Sequence, residues 1–263
     1  MNWEILWQFS IVVVVCYFLG NINFARFLSR LRNDDITKQG SGNPGTMNVL
    51  RSYGFLLGAL TLFFDVLKGA APVIAVYFIF KDRKPYLDSN LDYGLIAMFV
   101  AALSVIIGHI YPLIRNFRGG KGVASTLGVY FIITSVIGFW YVGLIIFAVG
   151  VLYILFFEWG SIGSLIMTTA FPVFTVIYFI LNYEMSGWLI FIICANAALC
   201  FLSYWRHRSN LAKLVKGKEN RTRLRAMLSL KRKKKEEQKD TVQKNAEQKE
   251  TEQIVTEEKS TNT

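Results

Sequence analysis

Three polar clusters interrupt an otherwise apolar chain, and each combines residue types suited to holding an anion. The first, 40–51, contains Gly40, Ser41, Gly42, Asn43, Gly45, Asn48 and Arg51. Glycines let backbone N–H groups converge on an anion with no Cβ in the way, while Ser, Asn and Arg add side-chain donors. The second, 108–125, opens with Gly108 and His109 and then sets Lys121 among Gly119, Gly120 and Gly122, directly before an apolar stretch. A helix starting there offers free N–H groups and the positive end of its dipole to a phosphate. A nucleotide P-loop does not fit, because Gly122 stands where Ser or Thr would ligand magnesium and a membrane-length run, not a strand, precedes it. The third cluster, 207–219, holds His207, Asn210, Lys213, Gly217 and Glu219. His207 and Asn210 lie three apart, so one helical face presents both. The chain has two histidines, His109 and His207, and each falls beside a cluster, which favours a site over two structural rings. Blander readings are a flexible polar loop for 40–51 and headgroup anchoring for Arg118 and Lys121, although anchoring requires no run of glycines. The chemistry that these residue types suit is the gripping of phosphate groups.

The elements that must position these clusters are membrane spans. Of 263 residues, 53% are apolar and 15% aromatic, in long unbroken runs that a soluble domain of this size does not show. Crossing a hydrocarbon core of ~30 Å takes about 20 helical residues. Runs of that length cover 5–27, 55–80, 93–114, 162–181 and 188–205, and the 35-residue run 123–157 is too long for one crossing and divides near Gly138. The sum is an all-α polytopic membrane protein with about seven transmembrane helices. The first run lacks a basic stretch before it and a small-residue cleavage site after it, so it reads as a span and not a signal peptide.

Charge sets the orientation. Segment 206–263 carries 17 Lys and Arg against 9 Asp and Glu, which is +8 of the formal +11. Placing that basic end inside puts 28–52, 115–122 and 158–161 inside too, with Arg30, Arg32, Lys38, Arg51, Arg115, Arg118 and Lys121. The outer segments hold Lys81, Arg83 and Lys84, offset by Asp82, Asp88 and Asp92. The expectation is N-terminus out and C-terminus in, with every cluster on one face. A membrane domain over 1–220 is followed by a basic tail, 221–263, disordered or surface-helical and drawn to anionic lipid, not nucleic acid. Cys16, Cys194 and Cys200 sit in apolar runs without metal-like spacing and read as packing residues. Asp65 and Lys68, three apart within the second span, would each cost about 3 kcal/mol near a helix centre as lone ions. A structural ion pair and a pair lining the site both remain open.

The stretches 40–51, 108–125 and 207–219 resemble, in order, the three signature motifs of the acyl-phosphate:glycerol-3-phosphate acyltransferases, the PlsY family. The spacing of Asp65, Lys68 and Gly69 and the turn of Ser161, Ile162, Gly163 and Ser164 also match, so the resemblance spans about 10–220. Met47, Lys213, Asn21 and Asn23 depart from the family pattern. The resemblance implies a bacterial inner-membrane enzyme, with its site facing the cytoplasm, that moves a fatty acyl group from acyl phosphate to the 1-hydroxyl of glycerol 3-phosphate. An acyl phosphate is already activated, so neither a covalent acyl-enzyme nor a metal or organic cofactor is expected. On this reading Lys121, His207 and Asn210 are catalytic. Ser41, Gly42, Asn43, Gly45, Asn48, Arg51, His109, Gly119, Gly120, Gly122 and Ser161 bind substrate, the glycine loops through their N–H groups. A transporter of phosphorylated small molecules is the alternative, but its anion sites would lie near the bilayer midplane.

Overall fold

The computed structural model describes residues 3–85, 90–219 and 221–222. The expected tail at 221–263 therefore lies, apart from Arg221 and Thr222, outside the described residues. Among the described residues nine α-helices follow one another: α1 (Trp3–Gly20), α2 (Phe24–Leu31), α3 (Thr46–Tyr53), α4 (Phe55–Phe80), α5 (Tyr93–Ile110), α6 (Val123–Val136), α7 (Trp140–Phe157), α8 (Gly160–Asn182) and α9 (Gly187–Val215). Short 3₁₀ turns at Ile36–Lys38 and Leu113–Arg115 lie between them, and the described residues contain no strand. Six helical segments among the described residues are long and apolar enough to cross a membrane.

The seventh expected span falls on a shorter helix. The run 123–157 does divide at Gly138, whose φ of +86° suits glycine and ends the helical path. What precedes the break, α6, has 14 residues, fewer than a full crossing needs.

The first span also differs from expectation. Its helix stops at Gly20, where Asn21 turns its amide onto the Tyr17 carbonyl at 2.6 Å. Asn23 then caps α2 by accepting from the Arg26 N–H at 2.9 Å. Apolar periodicity alone gives no sign of this break, because Ile22 and Phe24 continue the run. The carbonyl of Ile22 is taken up by Lys68, whose Nζ donates to it at 2.8 Å and to Asp65 Oδ1 at 2.6 Å. Asp65 and Lys68 are both buried, so of the two open readings the structure shows an ion pair, one that also holds the α1–α2 break.

The long axis of the packing is α5. Its membrane window is 89% buried, whereas that of α7 is 22% buried, which places α5 at the centre and α7 toward lipid. Backbone contact sets the α1–α5 pair. A Cβ on Gly20 would fall 2.2 Å from the Val105 carbonyl oxygen, and one on Gly108 would fall 2.1 Å from that of Tyr17. Small residues at such crossings let helices approach where no hydrophobic drive exists between them. At one end Phe9 meets Phe80, Tyr93 and Trp188 edge-on. At the other end the connections 21–54, 111–122, 158–161 and 206–222 come together, and there the three polar clusters meet.

Candidate active site

The first cluster is shaped by Asn48. From the buried first half of α3 its amide donates to the carbonyls of Ile36 and Gln39 at 3.2 and 2.9 Å, and its Oδ1 accepts from the Ser41 N–H at 2.9 Å. Asn48 thus organises the loop and is not free for an anion, contrary to its expected binding role. The Ser41 hydroxyl stays on an exposed residue. Asn23 ties the same loop to the helix break by donating to Pro44 O at 3.0 Å. Asn43 lies against Gly45, the N-cap of α3, and Gly42 has a φ of +70° at the turn before them. Arg51, in the last turn of α3, is part-buried. Burial pushes its guanidinium below the usual arginine range, while the Glu219 carboxylate pulls it back up.

The second cluster departs from expectation in one respect. The N–H groups of Gly119 and Gly120 do not face an anion: they donate to the Ile110 and His109 carbonyls at 3.1 and 3.3 Å. The loop folds back to satisfy the unpaired C-terminal carbonyls of α5. Their glycines are required by contact, since a Cβ on Gly120 would sit 2.3 Å from His109 Nε2. Arg206 clamps the other side of the loop, donating to the carbonyls of Gly120 and Gly119 at 3.2 and 3.1 Å. His109 is buried, with Nδ1 3.4 Å from Ser125 Oγ, so it serves as the platform on which the loop lies. Gly122 is the N-cap of α6, and the helix ladder begins only with the Thr126 N–H on the Gly122 carbonyl. The N–H groups of Val123, Ala124 and Ser125 precede that ladder, as the first N–H groups of any helix do.

The third cluster completes the site. α9 runs unbroken past the membrane-length stretch to Val215, so His207 and Asn210 do share a helix. Lys121 Nζ donates to Asn210 Oδ1 at 2.8 Å, and Asn210 Nδ2 donates to Glu219 Oε1 at 3.1 Å. Ser161 Oγ donates to the same Glu219 oxygen, which brings the start of α8 into the network. Glu219 is buried, and its second oxygen, Oε2, has no hydrogen-bond partner among the described residues. His207 is buried with Nδ1 2.8 Å from the Ser203 carbonyl. A carbonyl can only accept, so Nδ1 carries the hydrogen and Nε2 is left as an acceptor.

The electrostatics are short of negative charge. Burial lowers the Lys121 pKa to about 8; Glu219 opposes the shift, and the charges of Arg51, Arg206 and Lys213 add to it. One carboxylate faces four cations, an arrangement that accepts further anionic oxygen. Lys121, Asn210, Ser161 and Glu219 are joined by hydrogen bonds, with Arg51 and His207 in the same electrostatic neighbourhood. Ser41, Gly42 and Asn43 lie on the neighbouring loop, with no hydrogen bond to that network among the described residues. Sequence reasoning gave no role to two residues, Arg206 and Glu219. The cation directly before His207 and the sole carboxylate of the third cluster were the available signals.

Known proteins have related chains. The model of the family described as glycerol-3-phosphate acyltransferase matches residues 10–217. The glycerol-3-phosphate acyltransferase of Hydrogenovibrio crunogenus is 36% identical over 78% of this chain and 87% of its own. That of Clostridioides difficile is 33% identical over 82% of this chain and 96% of its own. The crystal structure of PlsY (YgiH), an integral membrane glycerol 3-phosphate acyltransferase, in its glycerol 3-phosphate form, superposes with a TM-score of 0.68 at 28% identity, covering 81% of this chain and 95% of that one. Its lysophosphatidic acid form gives a TM-score of 0.66. A family match over most of the chain and relatives that are acyltransferases exclude the transporter reading. The chain belongs to the PlsY family of integral membrane glycerol-3-phosphate acyltransferases.

Proposed function

We propose that this membrane enzyme takes its acyl group from an acyl phosphate and delivers it to the 1-hydroxyl of glycerol 3-phosphate, giving lysophosphatidate and inorganic phosphate. The observation that carries the reading is the part-buried Lys121 ammonium, fixed by Asn210 and faced by Arg51, Arg206 and Lys213 with Glu219 as the opposing carboxylate. Two phosphates are what such a site can take. The glycerol 3-phosphate and lysophosphatidic acid forms of PlsY (YgiH) support the acceptor and the product.

Lys121 and the first-turn N–H groups of α6 hold the departing phosphate, and Arg51 with Ser41 holds the other. His207, with Nε2 free to accept, aligns the acceptor hydroxyl. The hydroxyl oxygen bonds to the acyl carbon as the carbon–oxygen bond to phosphate breaks, and the hydroxyl proton leaves with the phosphate. No acyl-enzyme and no metal enters this balance. The site faces the cytoplasm of a bacterial inner membrane, where both phosphorylated substrates are available.

The test supplies purified protein with labelled glycerol 3-phosphate and, separately, acyl phosphate, acyl-CoA or acyl carrier protein. Labelled lysophosphatidate should form with acyl phosphate alone. Product with acyl-CoA in its place would overturn the donor assignment.

A further inference from the structure

Beside the catalytic loop, α2 and the connection 111–122 form a second basic surface that the acyl transfer does not use. α2 buries Ala25, Leu28 and Ser29 and is pinned by Phe24, whose ring stacks on Phe64 at 4.3 Å. Its outer side presents Arg26 and Arg30 together with Phe27 and Leu31, which are 55% and 68% exposed. The connection presents Arg115 and Arg118 among exposed Leu113, Ile114 and Phe117. The two elements touch, since Arg26 Nη2 donates to the Arg118 carbonyl at 3.4 Å.

Positive charge dominates this surface. Arg26 lies in the repelling field of Arg115 and then of Arg30, with Asp35 as the opposing carboxylate. The ion pairs among the described residues, Lys68 with Asp65 and Arg221 with Glu158, involve none of these arginines. Arg115 Nε is buried and has no hydrogen-bond partner among the described residues. A guanidinium nitrogen cannot accept, so the neighbouring Arg26 cannot satisfy it. An oxygen-rich anion can, by taking charge-assisted bonds from both guanidiniums. The flanking Phe27, Leu113 and Ile114 mean that such an anion arrives attached to an apolar body, as it does at a bilayer interface.

We propose that Arg26 and Arg115, with Arg30 at the rim, seat the phosphate of an anionic bilayer phospholipid whose acyl chains lie along Phe27, Leu113 and Ile114. Arg26 also holds the carbonyl immediately before Gly119. The bound headgroup therefore braces the loop that carries Lys121, and turnover responds to anionic lipid.

The full-length protein is offered phosphatidylglycerol and phosphatidylcholine in detergent, and bound lipid is read by native mass spectrometry. No substrate is present, so the result does not depend on the donor assignment. The parent should retain phosphatidylglycerol preferentially, and R26Q/R115Q should weaken that retention by about tenfold or more. R83Q removes a charge at the opposite end, where Arg83 bonds Gln8, and should leave retention unchanged. In vesicles with and without phosphatidylglycerol, the parent's turnover should rise with the anionic lipid and that of R26Q/R115Q should not. If the double variant fails to fold, R115Q alone should show the same direction in both readouts. Retention unchanged by these substitutions, or lost equally in R83Q, would overturn the proposal. So would displacement of the lipid by inorganic phosphate at equal concentration, which would make the seat one for free phosphate.

Discussion

At the scale of single residues the proposed chemistry rests on how Lys121 is kept charged and aimed. A phosphate leaving group gains negative charge as the acyl bond breaks, and a preorganised donor is worth most at that moment. Lys121→Ala should lower kcat/KM by about 2.7–4 kcal/mol, roughly 10²- to 10³-fold, with membrane insertion intact. Rates within a few-fold of the parent at saturating and limiting substrate would remove Lys121 from the site. Lys121→Arg keeps the charge but replaces a compact ammonium by a planar fork that Asn210 and the loop are not shaped to hold, so activity should fall there too. The pH profile gives an independent check. Burial brings the Lys121 pKa to about 8, so in the free enzyme the cationic form is complete well below that pH and is lost above it. The parent's kcat/KM should fall on the alkaline side of about pH 8, and the limb should disappear in Lys121→Arg, whose guanidinium stays protonated. Glu219 is the group that favours the ammonium, so Glu219→Gln should move the limb to lower pH. A limb that stays in place in Glu219→Gln would separate Glu219 from Lys121.

At the scale of elements, the glycine turn is a joint between α5 and α6 before it is an anion loop. Its N–H groups close the end of α5, its carbonyls take Arg206, and His109 lies beneath it. Gly120→Ala would set a methyl against His109 Nε2, displacing the loop that carries Lys121. Overpacking of this kind costs about 1–3 kcal/mol of stability, and kcat/KM should fall by about tenfold or more. Thermal unfolding in detergent together with kinetics reads both, and an unaltered enzyme would mean that the loop is not held against His109. The sequence is legible here to a definite depth. Uninterrupted apolar runs disclose the long helices, because lipid demands them, and glycines with cations disclose which polar segments gather at one end. The break at Asn21–Asn23 is not visible, since its stabilising partner, the Lys68 ammonium, is 46 residues away from Ile22. Arg206 reaches its loop from 86 residues away and Glu219 reaches Ser161 from 58, so their roles come from tertiary contact and not from local pattern. The direction of the Gly119 and Gly120 N–H groups is likewise a fact of how α5 ends, which spacing does not encode.

At the scale of the whole molecule, the candidate site residues collect at one end of a helical bundle. The end that holds Arg51, Lys121, Arg206 and Lys213 also holds Arg26, Arg30, Arg32, Lys38, Arg115 and Arg118. The opposite end has Lys81, Arg83 and Lys84 beside Asp82 and Asp92. Positive side chains are retained on the cytoplasmic side during insertion, and this asymmetry is the ground for the proposed orientation. The same placement suits the reaction, because glycerol 3-phosphate is a polar dianion that has to reach the site from water, while the acyl chain can remain in the bilayer. Single cysteines test this in a background from which Cys16, Cys194 and Cys200 have been removed. Lys38→Cys and Lys216→Cys, both at exposed positions on the site end, should resist an impermeant thiol reagent in intact cells and react once the membrane is opened. Asp82→Cys, exposed at the other end, should react in intact cells. Labelling of Lys38→Cys from outside would invert the topology, and with it the side from which the acceptor enters. Labelling of Lys38→Cys but not of Lys216→Cys from outside would mean that 21–54 and 206–219 do not share a face in the membrane, although Arg26–Arg118 and Lys121–Asn210 link both to 111–122 by hydrogen bonds. The measurement therefore tests orientation and the integrity of the site end at once, and only protection of both inner positions with reaction of the outer one satisfies both.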